Sequence, residues 1–250
     1  MITFRTWTVG LAVALTLPYL VFAQEQKPKT LAEAKAAFTT ADKALNEAWG
    51  AAKKALSESD FATLQIKQRD WMKYREDAAR GANRDNGEAE GKLTAAYYET
   101  ASEMTATRAD WLRARVKNND ESLTGLWSDS FGGVLEIVQE KERLLFVINV
   151  VRGPTFHTGA LSGVASWNSP LGWFSDKGRD KEKTEESNLI FIERSGAVLE
   201  IIGANTSHYH GARAYFDGEY CKVGVLDEKT KAEVIKAGES GEVGEEEEKK

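Results

Sequence analysis

Between Thr30 and Val116 apolar residues recur every three or four positions; from Leu123 onward they recur about every two. The first spacing is that of helices with one buried face, the second that of short strands. In the first helix the stripe is Leu31, Ala34, Phe38, Ala41, Leu45, Trp49, Ala52 and Leu56. The run SESD, Ser57 to Asp60, then supplies a turn and a helix cap. A second helix carries Phe61, Leu64, Trp71, Met72, Ala78 and Ala79 on one side and is expected to stop near Gly81. After a loop over Asn83 to Gly91, a third helix from Lys92 to Lys117 carries Leu93, Tyr97, Ala101, Met104, Trp111 and Leu112. Three stripes that must each be buried predict an antiparallel three-helix bundle over residues 30–117.

Beyond the linker KNNDES come GLWSDS, VLEIVQ, RLLFVINVV, GALSGVASW, NLIFIE, AVLEIIG and ARAYFDGEYCKV. They are rich in β-branched and aromatic residues, and FGG, QEKER, RGPT and RSGA between them read as hairpin turns. Seven or eight antiparallel strands over residues 123–225 predict a small barrel or sandwich. The charged run Phe174 to Asn188 is expected to be a hairpin tip or loop, and after Val223 little is left to bury. The fold class is therefore α+β.

The ends change the picture of where the chain works. Arg5 precedes an apolar run from Val9 to Phe22, 14 residues long, against roughly 20 for a membrane span. Val21 and Ala23 fit a signal peptidase site, so residues 1–23 are expected to be a cleaved signal peptide and the protein periplasmic or secreted. No later segment is apolar enough to span a membrane. The formal charge of −6 becomes −7 without Arg5, and part of it lies in an acidic tail, residues 238–250, expected to be disordered. That balance excludes a basic nucleic-acid footprint. Cys221 is the sole cysteine, so no intrachain disulfide can form, and its strand-like surroundings point to a half-buried thiol.

Candidate chemistry begins inside the stripes. Leu64, Gln68, Trp71 and Arg75 project from one side of the second helix, and Arg108 falls on the stripe of Tyr97 and Met104 in the third. A buried guanidinium needs polar partners, because isolated burial of charge is very costly. One reading is a structural polar clasp of Gln68, Arg75, Arg108 and Asn46 with carboxylates such as Asp42, Glu47, Asp77 or Glu103. The other is a pocket for an anion or a glycan. His208 and His210 alternate along an extended HYH and, with His157, contain too few ligands to specify a metal; no cofactor is implied. No nucleophile elbow, phosphate loop or H-E-x-x-H helix is present, so no catalytic residue is assigned. Trp49, Trp71, Trp111 and Trp127 read as core. Trp167 and Trp173, flanking NSPLG, are the candidate contact tryptophans.

The motifs ALNEAW (44–49), QRDWMKYRED (68–77) and MTATRADWL (104–112) resemble the LprI-like N-terminal domain family, named for a lysozyme inhibitor of the bacterial envelope. The family's Leu-Asn pair with a following aromatic is filled by Leu45, Asn46 and Trp49. Its Gln-Arg-x-Trp-x-x-Tyr-Arg run is filled by Gln68, Arg69, Trp71, Tyr74 and Arg75, and its Thr-x-x-Arg by Thr105 and Arg108. Many members tie these helices with cysteines; Ala79 stands where one is common. The strand half resembles the β-rich domain often found behind this module, through Gly125, Trp127, Asp217, Gly218 and Tyr220. Residues 211–220 also look like a loop of another barrel-shaped class of bacterial lysozyme inhibitors, but His210 stands where that class has serine. The resemblance implies binding rather than catalysis, with lysozyme or another envelope protein as partner. The expected contact loops are Asn168 to Phe174, with Trp173, and Asn205 to Gly211, with His208 and His210. A barrel holding a small apolar ligand and a structural module of the envelope are the alternatives.

Overall fold

The computed structural model describes residues 29–85, 93–117, 122–153, 157–177, 185–194 and 198–242. The expected signal peptide and all but the first residues of the expected tail lie outside them.

Three helices come first: α1 (Leu31–Ala55), α2 (Glu58–Asp85) and α3 (Ala95–Arg115). Thr30 opens α1 with a capping box, its hydroxyl taking the Glu33 amide while the Glu33 carboxylate takes the Thr30 amide. Ser57 caps α2 by accepting the Asp60 amide at 3.1 Å. The apolar spacing places Ala34, Ala41, Leu45 and Ala52 of α1 and Leu64, Trp71, Ala78 and Ala79 of α2 in the interior. Two expectations are corrected here. The second helix runs past Gly81 to Asp85, because one glycine costs only about 1 kcal/mol and Gly81 is buried against its neighbours. Met72 is 49% exposed rather than on the buried stripe; it lies one position past Trp71, turned about 100° from it.

α3 is the centre of the helical part. It packs along both α1 and α2, and those two also meet through side chains, Trp49 against Phe61 and Arg75 against Phe38. Its remaining side packs on the barrel, so Thr105 and Arg108 are buried beside Ala101, Ala109 and Trp111.

The strands are β1 (Gly125–Ser128), β2 (Gly133–Glu140), β3 (Arg143–Arg152), β4 (His157–Asn168), β5 (Leu171–Ser175), β6 (Asn188–Glu193), β7 (Val198–Ala204) and β8 (Gly218–Gly224). They form a closed antiparallel barrel in chain order, β8 returning to β1. Alternation sends Trp127, Phe146, Phe174, Phe191 and Tyr220 inward, with Trp167 beside them. Phe146 meets Phe174 and Phe191 edge-on at 5.2 and 5.1 Å between ring centres. The interior is packed with side chains, which corrects the alternative of a barrel built around a small apolar ligand.

Two further features differ from the expectation. The chain does not run out of buried surface after Val223. A fourth helix, α4 (Glu228–Ser240), is capped by Asp227 and lies on the outside of β2, β3 and β4. Val234 packs there with Val138, Leu145, Val147 and Leu226. Gly238, expected to begin the tail, is buried in this seam; a β-carbon on it would sit 3.0 Å from the Gly163 carbonyl. Cys221 is fully buried rather than half-buried. It faces outward from β8 into a core shared by the helices and the barrel wall, with Trp71, Trp111, Leu112 and Val198. Burial pushes its thiol up to about 12, which makes it an inert hydrophobe at neutral pH.

Candidate functional site

The polar residues in the helical stripes gather at the junction with the barrel. Arg108 donates from Nε to Gln68 Oε1 at 2.9 Å and from Nη1 to Ser130 Oγ at 2.9 Å. Its guanidinium lies 4.2 Å from the centre of the Trp111 ring, 5.6 Å from Trp71 and 5.9 Å from Phe131. No carboxylate hydrogen-bonds to it among the described residues; the charge is met by ring faces instead. Burial pulls this guanidinium down to about 10, so it stays protonated at neutral pH.

Trp71 and Tyr74, on the same side of α2, read the barrel directly. Trp71 Nε1 donates to the Ser130 carbonyl at 3.0 Å, and the Tyr74 hydroxyl donates to the Phe131 carbonyl and accepts the Gly153 amide. The β1–β2 turn that receives them is held from within. Asp129 accepts the Phe131 and Gly133 amides and pairs with Arg152 at 2.6 Å, and Arg152 also donates to the Phe131 carbonyl. Gly133 must be glycine, because a β-carbon would lie 2.6 Å from Asp129 Oδ2 and 2.7 Å from the Tyr220 hydroxyl. Around the junction Glu219 of β8 pairs with Lys67 at 2.6 Å and with Arg115 at 3.0 Å. Burial alone would raise its carboxyl, but these two cations hold it below its ordinary value.

Arg75 and Asn46 are not part of that cluster. Arg75 Nη1 donates to Thr105 Oγ1 at 3.1 Å, and its guanidinium lies 5.3 Å from both the Phe38 and Trp71 ring centres. Asn46 is exposed and donates to Asp42 at 3.1 Å. The carboxylates expected beside the arginines give way to Thr105, Ser130 and aromatic rings. A groove of about 470 Å³ lies between α1 and α2, lined by Asp42, Asn46, Trp49, Gln68, Arg69 and Arg75 among others.

Residues 23–112 match a family model, that of lysozyme inhibitor LprI. This region is an LprI-like domain. The match ends at Leu112, so the barrel lies outside it. No curated protein and no solved structure matches the chain. Within the LprI-like domain the family positions divide into two sets. Trp71, Tyr74 and Arg108 hold the domain to the barrel, Asn46, Trp49, Arg69 and Arg75 face the groove, and Gln68 lies between the two, bonded to Arg108 and lining the groove.

On the barrel the four expected contact residues separate. Trp167 is buried in the interior, and its neighbour on the hairpin, Trp173, is 51% exposed. His208 belongs to a 3-10 turn, Thr206–Tyr209, rather than to an extended strand. His210 follows it, its ring edge-on to Tyr215 and Phe216 and hydrogen-bonded to Thr206. The β4–β5 turn and the β7–β8 connection lie at opposite ends of the barrel, since consecutive strands alternate in direction. The two expected loops therefore cannot form one contact surface.

Sequence reasoning missed Ser130, Asp129, Arg152 and Glu219, which become partners only through tertiary contact. It also missed the outer face of β5–β7. Trp173, Ile190 and Ile202 are cross-strand neighbours there, as are Leu171 and Ile192. α4 covers β2–β4 and α3 covers β8. Among the described residues nothing covers this third side, and Leu171, Trp173 and Ile202 are exposed.

Proposed function

We propose that this protein is exported through its N-terminal leader and acts in the periplasm or outside the cell by binding a protein partner of the lysozyme class. The match of residues 23–112 to the LprI family supports that reading. Among the described residues no helix is long and apolar enough to cross a membrane. The contact surface is the outer face of β5–β7, and the observation that carries it is the exposed apolar row Trp173–Ile190–Ile202 beside Leu171. Contiguous apolar surface on an otherwise covered barrel is the mark of an interaction site, and a central exposed tryptophan suits an interface anchor. Glu193 and Glu200, the second paired with Arg194, stand on its edge. A net charge of −7 after leader removal steers the chain toward basic proteins. Leu171 follows the Ser169–Pro170 hairpin tip, so the same face can present that tip to a cleft.

The test is lysis of cell-wall substrate by several lysozyme types, with and without the mature protein, beside calorimetry for binding. Inhibition by at least one type is expected, with Trp173→Ala weakening it about tenfold, the scale of one interface anchor. Undiminished lysis and no heat of binding for all of them would remove this reading.

A further inference from the structure

The α1–α2 groove is built differently from the barrel face and calls for a different ligand. Neither of its two guanidiniums is ion-paired among the described residues, and the one carboxylate in its lining, Asp42, is hydrogen-bonded to Asn46. Among the described residues Arg69 is exposed with no ion pair, and the only polar side-chain partner of Arg75 is Thr105. An arginine has five N–H donors, and a planar fork with free donors fits a carboxylate. Trp49, half-buried and tilted against Phe61 at 4.9 Å, gives the groove an aromatic wall, and Met72 adds an exposed thioether opposite. Gln65 and Gln68 bring side-chain amides to the same space, and Asn46 adds a third, one of whose N–H groups goes to Asp42. Gln68 commits its carbonyl to Arg108, which leaves its NH₂ for a ligand.

We infer that this groove, where Arg69 and Arg75 face Trp49, Met72 and three side-chain amides across an opening between α1 and α2, binds a carboxylate-bearing sugar. The apolar face of a pyranose ring packs on an aromatic wall, amides bond its hydroxyl or acetamido groups, and the arginines take the carboxylate. The volume, about 470 Å³, lies within the range of small-molecule sites, about 300–1,000 Å³. An acidic peptide fits less well. Both walls are helices whose backbone groups are already bonded, so no sheet edge offers a main-chain ladder, and the groove is too polar to take an amphipathic helix. The site is independent of the proposed protein contact: its charge repels a basic partner, and it sits on the helices rather than on β5–β7.

The experiment uses the full mature chain, with N-acetylmuramic acid as probe, N-acetylglucosamine as the same ring without the carboxylate, and tri-glutamate as the peptide rival. Calorimetry and saturation-transfer NMR read binding. The acid sugar is expected to bind with a dissociation constant on the order of 1 mM or tighter, and the neutral sugar about tenfold more weakly. Arg69→Gln, at an exposed position, should weaken the acid sugar by about tenfold with an unchanged melting temperature, and Trp173→Ala should leave this binding intact. Absence of binding by the acid sugar, equal binding of the two sugars, or tighter binding of tri-glutamate would each overturn the inference. Loss of lysozyme inhibition with sugar binding retained would count against the protein-binding reading alone.

Discussion

Arg108 shows how one residue can be legible in sequence while its surroundings are not. A cation in the middle of an apolar stripe announces that it has partners, and Gln68, forty positions away on another stripe, is one of them. Trp71 and Trp111, on the helical stripes, are others; Ser130 and the Phe131 ring complete the set, and nothing in the local pattern of a β-turn marks them. Asn46 shows the converse: its place beside Leu45 suggested the clasp, but it turns outward to Asp42. The charge-poor surroundings of Arg108 make a prediction. Arg108→Met leaves the half-buried Gln68 carbonyl and the buried Ser130 hydroxyl without their donor, an orphaned buried group costing about 1–3 kcal/mol. Urea unfolding should show a loss of roughly 3 kcal/mol. Arg108→Met combined with Gln68→Leu should recover part of it, since the carbonyl goes with its donor. A single variant as stable as the parent would mean that Arg108 does not hold the junction.

At the scale of elements, α4 is the piece that the pattern hid. Its apolar contribution is small: Val234 is buried, Ile235 and Ala237 are partly buried, and Leu226 precedes the cap. A run so short and charged reads as tail until the outer faces of β2–β4 are known to be apolar and in need of a cover. Under this helix lies Glu136, buried between Leu126 and Val147 on its neighbouring strands. Burial, and then the nearby Glu233 carboxylate of α4, push its carboxyl up to about 7. The sign follows from linkage. The folded state holds this proton more tightly than the unfolded chain, whose carboxyl titrates near the ordinary value of about 4.3. The protein is therefore most stable, as far as this group matters, below that value, and loses stability as pH rises toward 7. Above about 7 the loss is complete, roughly 4 kcal/mol at most for this shift. Glu136→Gln should flatten this part of the stability profile and raise the melting temperature at pH 8; denaturation scans from pH 4 to 8 test it. A parent profile that rises with pH over this interval, with no gain from the variant, would contradict it.

For the whole molecule, the decisive fact is that the LprI-like domain and the barrel share one buried core. Trp71, Arg108 and Cys221 lie in it, with Glu219 tying α2 and α3 to β8 at its edge. A shared core of this kind predicts one cooperative unfolding transition. Helix loss by far-ultraviolet dichroism and barrel loss by near-ultraviolet aromatic signals should coincide along a denaturant series, and two separated midpoints would refute it. The same arrangement explains the surface that remains. With α3 on β8 and α4 on β2–β4, the outer face of β5–β7 around Trp173, Ile190 and Ile202 is left bare among the described residues. The sequence by itself determined what depends on spacing along the chain. It specified three helices followed by seven alternating segments, β5 being read as loop, the turns between most of them, and polar residues inside stripes that had to find partners. It also held the motifs of the helical family. The tertiary structure decided what depends on closure and docking. Strand pairing in alternating directions put the Trp173 hairpin and the His208–His210 turn at opposite ends of the barrel. Docking put Arg108 onto Ser130. Periodicity fixes which side of an element is buried, because it is a property of one segment's geometry. Which element comes to cover that side is set by contacts between residues far apart in the chain, and no local pattern carries that information.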